Sequence, residues 1–289
     1  MYQTRTDLAL ERHGRLGSVP PSLPGLEVQK TCEGDLEITH ISVSSQKAAE
    51  ALGKPEGEYI TLDLRRKWQQ DEDMILTAAH TLAKSLRPML PTDGGILAVG
   101  LGNRSVTADA LGPLALDKLI VTRHLHRTFP DLFNDFRTVT AIAPGVMGRT
   151  GMEPLELIAG IVDRLRPSAV LAIDALAAAS LDRLGSSFQI ATSGIIPGEG
   201  ARSKRHALNH ETLGVPVLAI GVPTVTDAAT LACDLLGLEE PPRKLEEGFL
   251  VTPGDIDLLV AKAAKAVGYG INLALHGDLP ISDMEQLLA

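Results

Sequence analysis

Two short apolar runs, each leading into an aspartate, constrain this chain more than any other feature. Residues 96–101 (ILAVGL) run into a Gly/Asn/Ser/Thr stretch that ends at Asp109 in TADALGP, and residues 169–173 (AVLAI) run directly into Asp174 in DALAA. Short runs rich in Val, Ile and Leu, separated by segments of helical period, read as strands buried on both faces of an α/β sheet. In such sheets the working site lies beyond the carboxyl ends of the strands. Both aspartates are therefore expected at one edge, as a two-carboxylate site.

The rest of the chain supports that frame. Strands are expected at about 36–43, 59–64, 138–143, 187–192 and 216–221, besides 96–101 and 168–174. Helices are expected at about 44–52, 71–86, 110–126, 153–165, 227–237 and 254–275. Residues 71–86 place Met74, Ile75, Ala78, Ala79, Leu82 and Leu86 on one helical face, which Pro88 brings to an end. The alternation specifies a three-layer, doubly wound α/β fold, its sheet mostly parallel or mixed, with helices on both faces. Gly14, Gly17, Pro20, Pro21, Pro24 and Gly25 break any period in the first 25 residues, which read as a mobile arm. The stretch 238–247 (LEEPPRKLEE) reads as a charged surface loop.

Composition narrows the function. The chain has 289 residues, enough for a sizeable core, and 36 acidic against 27 basic residues give a net charge of −9. That balance argues against direct nucleic-acid binding, and 3% aromatic residues argue against base-stacking platforms. No apolar stretch approaching the roughly 20 residues of a membrane span is read, and the charged N-terminus lacks the pattern of a secretory signal. A cytoplasmic protein without a membrane partner is expected. Cys32 and Cys233 lack metal-site spacing and are expected as buried thiols.

Each candidate site has a plain structural reading. Asp109 fits a helix cap as well as a catalytic acid. Asp174 ends an apolar strand, where an ionised carboxylate is costly unless it is paired or solvated in a cleft, so function is the stronger reading. Gly100-Leu-Gly102 opens like a dinucleotide fingerprint but lacks its third glycine, and no cofactor-binding residue is assigned. Residues 145–151 (GVMGRTG) fit either a ligand loop or a tight turn. His124 and His126 do not share a helical face and make no metal pair. Arg123, Arg149, Arg202, Lys204 and Arg205 read mostly as solvated bases. On these grounds alone a peptidase, a small-ligand-binding module and a nucleosidase-like α/β enzyme all stay open.

Five segments carry a specific resemblance: VGLGNRSVTADALGP (99–113), LIVTRHL (119–125), PGVMGRTG (144–151), AIDALAA (172–178) and ETLGVPVLAIGVPTVTDA (211–228). Together they resemble the germination protease family of endospore-forming bacteria, in order along most of the chain. The resemblance implies an atypical aspartic endopeptidase that begins degradation of small acid-soluble spore proteins during germination, with its two essential acids at Asp109 and Asp174. It also implies a self-processing zymogen whose own cut site resembles that of its substrates. Residues 6–11 (TDLALE) fit that site, with cleavage between Asp7 and Leu8. The implied division is a propeptide at 1–7, an arm at 8–25 and a single peptidase domain at 26–289.

A homotetramer in the forespore and spore core is implied as well. A more distant likeness to hydrogenase-maturation endopeptidases leaves open a divalent metal between the acids, ranked below a metal-free mechanism. Two departures stand out. The loop after residues 227–237 is shorter than in long family members. Where the family has a histidine in a Gly-x-His-Pro-Gly stretch, this chain has Ile196 in GIIPG, which leaves the aspartates to carry the chemistry.

Overall fold

A computed structural model describes residues 5–16, 23–64, 68–198, 206–238, 240–241, 249–277 and 279–288. Arg202, Lys204 and Arg205, and most of the 238–247 loop, lie outside the described residues.

Nine strands form one mixed sheet among the described residues: β1 (Leu26–Glu33), β2 (Leu36–Val43), β3 (Gly57–Asp63), β4 (Ile96–Gly100), β5 (Val139–Ile142), β6 (Ala169–Ala177), β7 (Ser187–Ala191), β8 (Val217–Asp227) and β9 (Leu250–Val251). Eight lie in the order β1-β2-β3-β7-β8-β6-β4-β5, and β9 pairs with the far end of β8. The half from β8 to β5 is parallel, whereas β1, β2, β3 and β7 pair antiparallel, as β7 does with β8. The α/β sheet is thus mixed, with helices on both faces.

Strand alternation sorts the core. Ile96, Ala98, Leu171, Ile173, Phe188 and Ile220 face α3 (Glu72–Leu86) and α11 (Ile256–His276). Leu97, Val99, Val170 and Ala172 face α8 (Pro154–Leu165). Farther along that second face, Tyr59, Ala191 and Ala219 meet α1 (Ala9–Gly14) and α2 (Gln46–Leu52).

Most expected elements fall within a few residues of their places, and five readings need correction. The helix expected over 110–126 is two: α4 (Leu111–Leu116) and, after a turn, α5 (Leu125–Thr128). Strand β6 continues to Ala177 because β8 stays paired with it past Gly221, with an irregularity at Leu176/Ala177. Helix α11 does have the length and composition to cross a bilayer, but it is mostly buried against α3 and α4, as core helices are. Cys32 is exposed on β1, while Cys233 is a buried free thiol.

The described part of the expected arm, residues 5–16, is packed rather than mobile. Leu8 and Ala9 are fully buried, Leu10 nearly so, and α1 packs on β2 and α2. Burying a leucine stabilises by about 1.5–3 kcal/mol, enough to hold so short a segment once hydrogen bonds add to it. Gly17, Pro20 and Pro21 lie outside the described residues, while Gly14 closes α1 and Pro24 and Gly25 lead into β1.

Candidate active site

Asp174 lies within β6, three residues before its end, and is only 4% exposed. Its Oδ1 accepts from the Ala175 backbone N–H at 2.9 Å. Register places Asp174 opposite Gly221 on β8, and Gly221 opposite Gln189 on β7. With strands about 4.8 Å apart, the two side chains stand about 10 Å from one another across a glycine. A Cβ on Gly221 would come within 2.5 Å of the Leu176 side chain, so this central position admits no larger residue without a shift. Asp174, Gly221 and Gln189 line one cavity, into which Asp7, Tyr59 and Lys54 also face.

The N-terminal segment lies along this row. The Asp7 N–H donates to the Ala177 carbonyl at 2.9 Å, and the Ala177 N–H donates to Asp7 Oδ2 at 2.7 Å. Gln189 brackets the Asp7–Leu8 bond: its Nε2 donates to the Asp7 carbonyl at 3.2 Å, and its Oε1 accepts from the Ala9 N–H at 2.7 Å. Leu8 fills an apolar socket of Leu176, Ala178, Leu184 and Ile195. Four residues beyond Asp7, Glu11 accepts from the N–H groups of Ala179 and Ser180 at 2.7 and 2.8 Å, and from the Thr6 hydroxyl. Arg183 approaches the same carboxylate at 4.0 Å. Upstream, Arg5 pairs with Asp227 at 2.9 Å, both side chains largely buried.

Asp109 ends a 3-10 turn over Thr107–Asp109 and is half-buried. Ala110, which follows Asp109, holds the N-cap position of α4. The turn is tied to β8 by the Thr224 hydroxyl, which donates to the Ala108 carbonyl at 2.6 Å. Glycines permit its close approach to the sheet. A Cβ on Gly112 would fall 2.5 Å from the carbonyl oxygen of Ile173, the neighbour of Asp174. Gly102 has φ of +103°, and a Cβ there would come within 2.1 Å of the Asp109 carbonyl oxygen. The fragment that opens like a dinucleotide fingerprint is therefore a packing device for the Asp109 loop. The turn that carries Asp109 packs on β6 and β8, and Asp109 itself is not part of the cavity wall described above.

The other candidates fall elsewhere or serve structure. Residues 147–150 form a single helical turn, and Arg149 donates to Ser105 at 3.0 Å, tying that turn to the Asp109 loop. His124 lies on a separate groove with Phe129 and the C-terminal helix. Burial pushes the His276 pKa down to about 4, with nearby His126 adding to the effect, and its ring packs on Phe136. Among the described residues no three of His, Cys, Asp and Glu converge as a metal site. Gln189 and the amides of Ala177, Ala179 and Ser180 had no signal in the sequence, because their roles arise from pairing across strands.

A family model described as germination protease matches residues 6–239. This chain belongs to the germination protease family. The germination protease of Clostridium perfringens is 36% identical, with all of both chains covered, and that of Caldanaerobacter subterraneus is 38% identical over 98% of each. That of Bacillus mycoides is 42% identical over 86% of this chain and 70% of its own. Among solved structures, a [NiFe] hydrogenase maturation protease, HycI, from Thermococcus kodakarensis matches 66% of this chain and 98% of its own at 18% identity and a TM-score of 0.39. Membership makes the chain a peptidase of spore germination. The matched region opens at Thr6, so the segment docked on the sheet edge falls inside it.

Proposed function

We propose that the protein is an endopeptidase zymogen that cuts itself between Asp7 and Leu8, and then cuts small acid-soluble spore proteins after an acidic residue, using Asp109 and Asp174. The observation that carries this reading is the shared cavity: Asp7, Asp174 and Gln189 line it together, and Gln189 donates to the carbonyl of the Asp7–Leu8 bond. Acting as a pair, the two aspartates would hold one proton between them, since like charges at short range resist double ionisation. The ionised acid takes a proton from water, whose oxygen attacks the carbonyl carbon, and the protonated acid delivers a proton to the departing nitrogen.

Substrate preference follows from the docked segment. An acid before the cut meets the Ala177 N–H, an apolar side chain after it enters the Leu8 socket, and a second acid four residues on meets the amides of Ala179 and Ser180. A homotetramer working in the forespore and spore core, without a membrane or nucleic-acid partner, completes the proposal.

The test is substitution of each acid. Asp109→Asn and Asp174→Asn should fold, by circular dichroism, yet each lose far more than tenfold in peptidase turnover. Retention of a tenth, which corresponds to about 1.4 kcal/mol of transition-state stabilisation, refutes the pair and favours a ligand-binding role for the fold.

A further inference from the structure

We infer that Gln189 is a catalytic residue of this peptidase, holding the scissile peptide and stabilising the oxyanion that forms on its carbonyl. The inference deepens the proposed self-cleavage and rests on Asp7–Leu8 being the bond cut.

Its amide makes two bonds to the docked chain, one on each side of that bond: Nε2 to the Asp7 carbonyl oxygen at 3.2 Å and Oε1 from the Ala9 N–H at 2.7 Å. Only this assignment of the amide satisfies both partners, because a carbonyl oxygen accepts and an N–H donates. In hydrolysis a water oxygen bonds to the Asp7 carbonyl carbon, the bond from that carbon to the Leu8 nitrogen breaks, and the nitrogen takes up a proton. Meanwhile the Asp7 oxygen gathers negative charge. Gln189 Nε2 is a donor already aimed at that oxygen, and such ground-state contacts shorten as the charge develops.

Position supports the assignment. Gln189 on β7 and Asp174 on β6 flank Gly221 of β8, so donor and acid line one cavity with Asp7 on opposite sides of a gap left by a missing side chain. Gln189 is 7% exposed, which keeps the donor out of competition with bulk water. Its partners on the chain are backbone atoms alone. The same amide would therefore hold any substrate segment laid in this place, whatever its side chains.

The test compares full-length wild type with Gln189→Met, which keeps the volume and removes donor and acceptor. The rate at which residues 1–7 are lost on mild acidification is followed by intact mass, and hydrogen exchange at the Asp7 and Ala177 amides reports whether the segment stays docked. Loss of one oxyanion donor should slow cleavage about 100-fold, with protection of Asp7 and Ala177 unchanged. A docked variant cut at the wild-type rate overturns the inference. Cleavage lost together with docking overturns it too, because Gln189 would then serve only to seat the arm. Gln189→Asn, an amide one methylene too short to bridge both partners, decides the matter by the same two readouts should the Met variant not fold. A wild type that stays intact overturns both the inference and the self-cleavage beneath it, whereas a cut wild type beside an equally fast variant overturns the role of Gln189 alone.

Discussion

A carboxylate at position 174 interrupts a strand that is otherwise apolar, and such a group is retained only where its charge has partners or work. Glu11 has the same character: buried, it is held by two backbone amides and a hydroxyl. Charge-assisted bonds of this kind contribute about 1.5–3 kcal/mol each. Glu11→Ala should therefore loosen the docked segment, seen as a loss of more than tenfold in hydrogen-exchange protection at Ala179 and Ser180. Unchanged protection would mean that the contact contributes nothing to docking. At this scale the sequence exposed the residues whose chemistry conflicts with their surroundings, Asp174 above all. It could not expose Gly221, which sits directly opposite Asp174, or Gln189, which faces Asp174 across two strand spacings, or Gly102 and Gly112, whose missing side chains let the Asp109 loop close on the sheet.

Elements with strong periodicity were legible, and those decided by tertiary pairing were not. The apolar face of α3 and the buried runs of β4 and β6 follow from pattern alone. The ends of β6 and β8 do not, because Ala175 to Ala177 become strand only through their partners on β8. Helix α1 is too short to announce itself, and its burial comes from β2, α2 and the Leu8 socket.

The C-terminal end of α11 carries a prediction of its own. Burial holds the His276 pKa at about 4, against 6.5 for the unfolded chain, so the neutral ring is the folded form. A depressed pKa contributes stability that is complete above about pH 6.5 and is lost as the pH falls toward 4. Denaturant unfolding should show this residue costing wild type about 2 kcal/mol between pH 7.5 and pH 5. His276→Leu should flatten the pH dependence by that amount; an unaltered slope would show that the ring does not titrate with folding.

For the whole molecule, one mixed sheet with helices on both faces places Asp174 and its cavity toward the carboxyl end of its parallel half. The general fold was legible because α/β alternation leaves few other arrangements. The antiparallel half was not, since β1, β2 and β3 carry no local mark of their direction. The proposed homotetramer belongs to this scale as well. Light scattering at micromolar concentration should give four times the 30.7 kDa chain mass; a monomeric mass contradicts it.

The central claim is that the docked segment is cut by the acid beside it. Intact-mass spectrometry of the full-length protein, before and after mild acidification, tests it most directly. An acid pair sharing a proton works only between its two apparent pKa values, so conversion should depend on pH. Wild type should lose residues 1–7 and begin at Leu8, while Asp174→Asn stays whole under the same treatment. A wild type that stays full-length across mildly acidic pH, or a variant trimmed equally fast, would contradict the account.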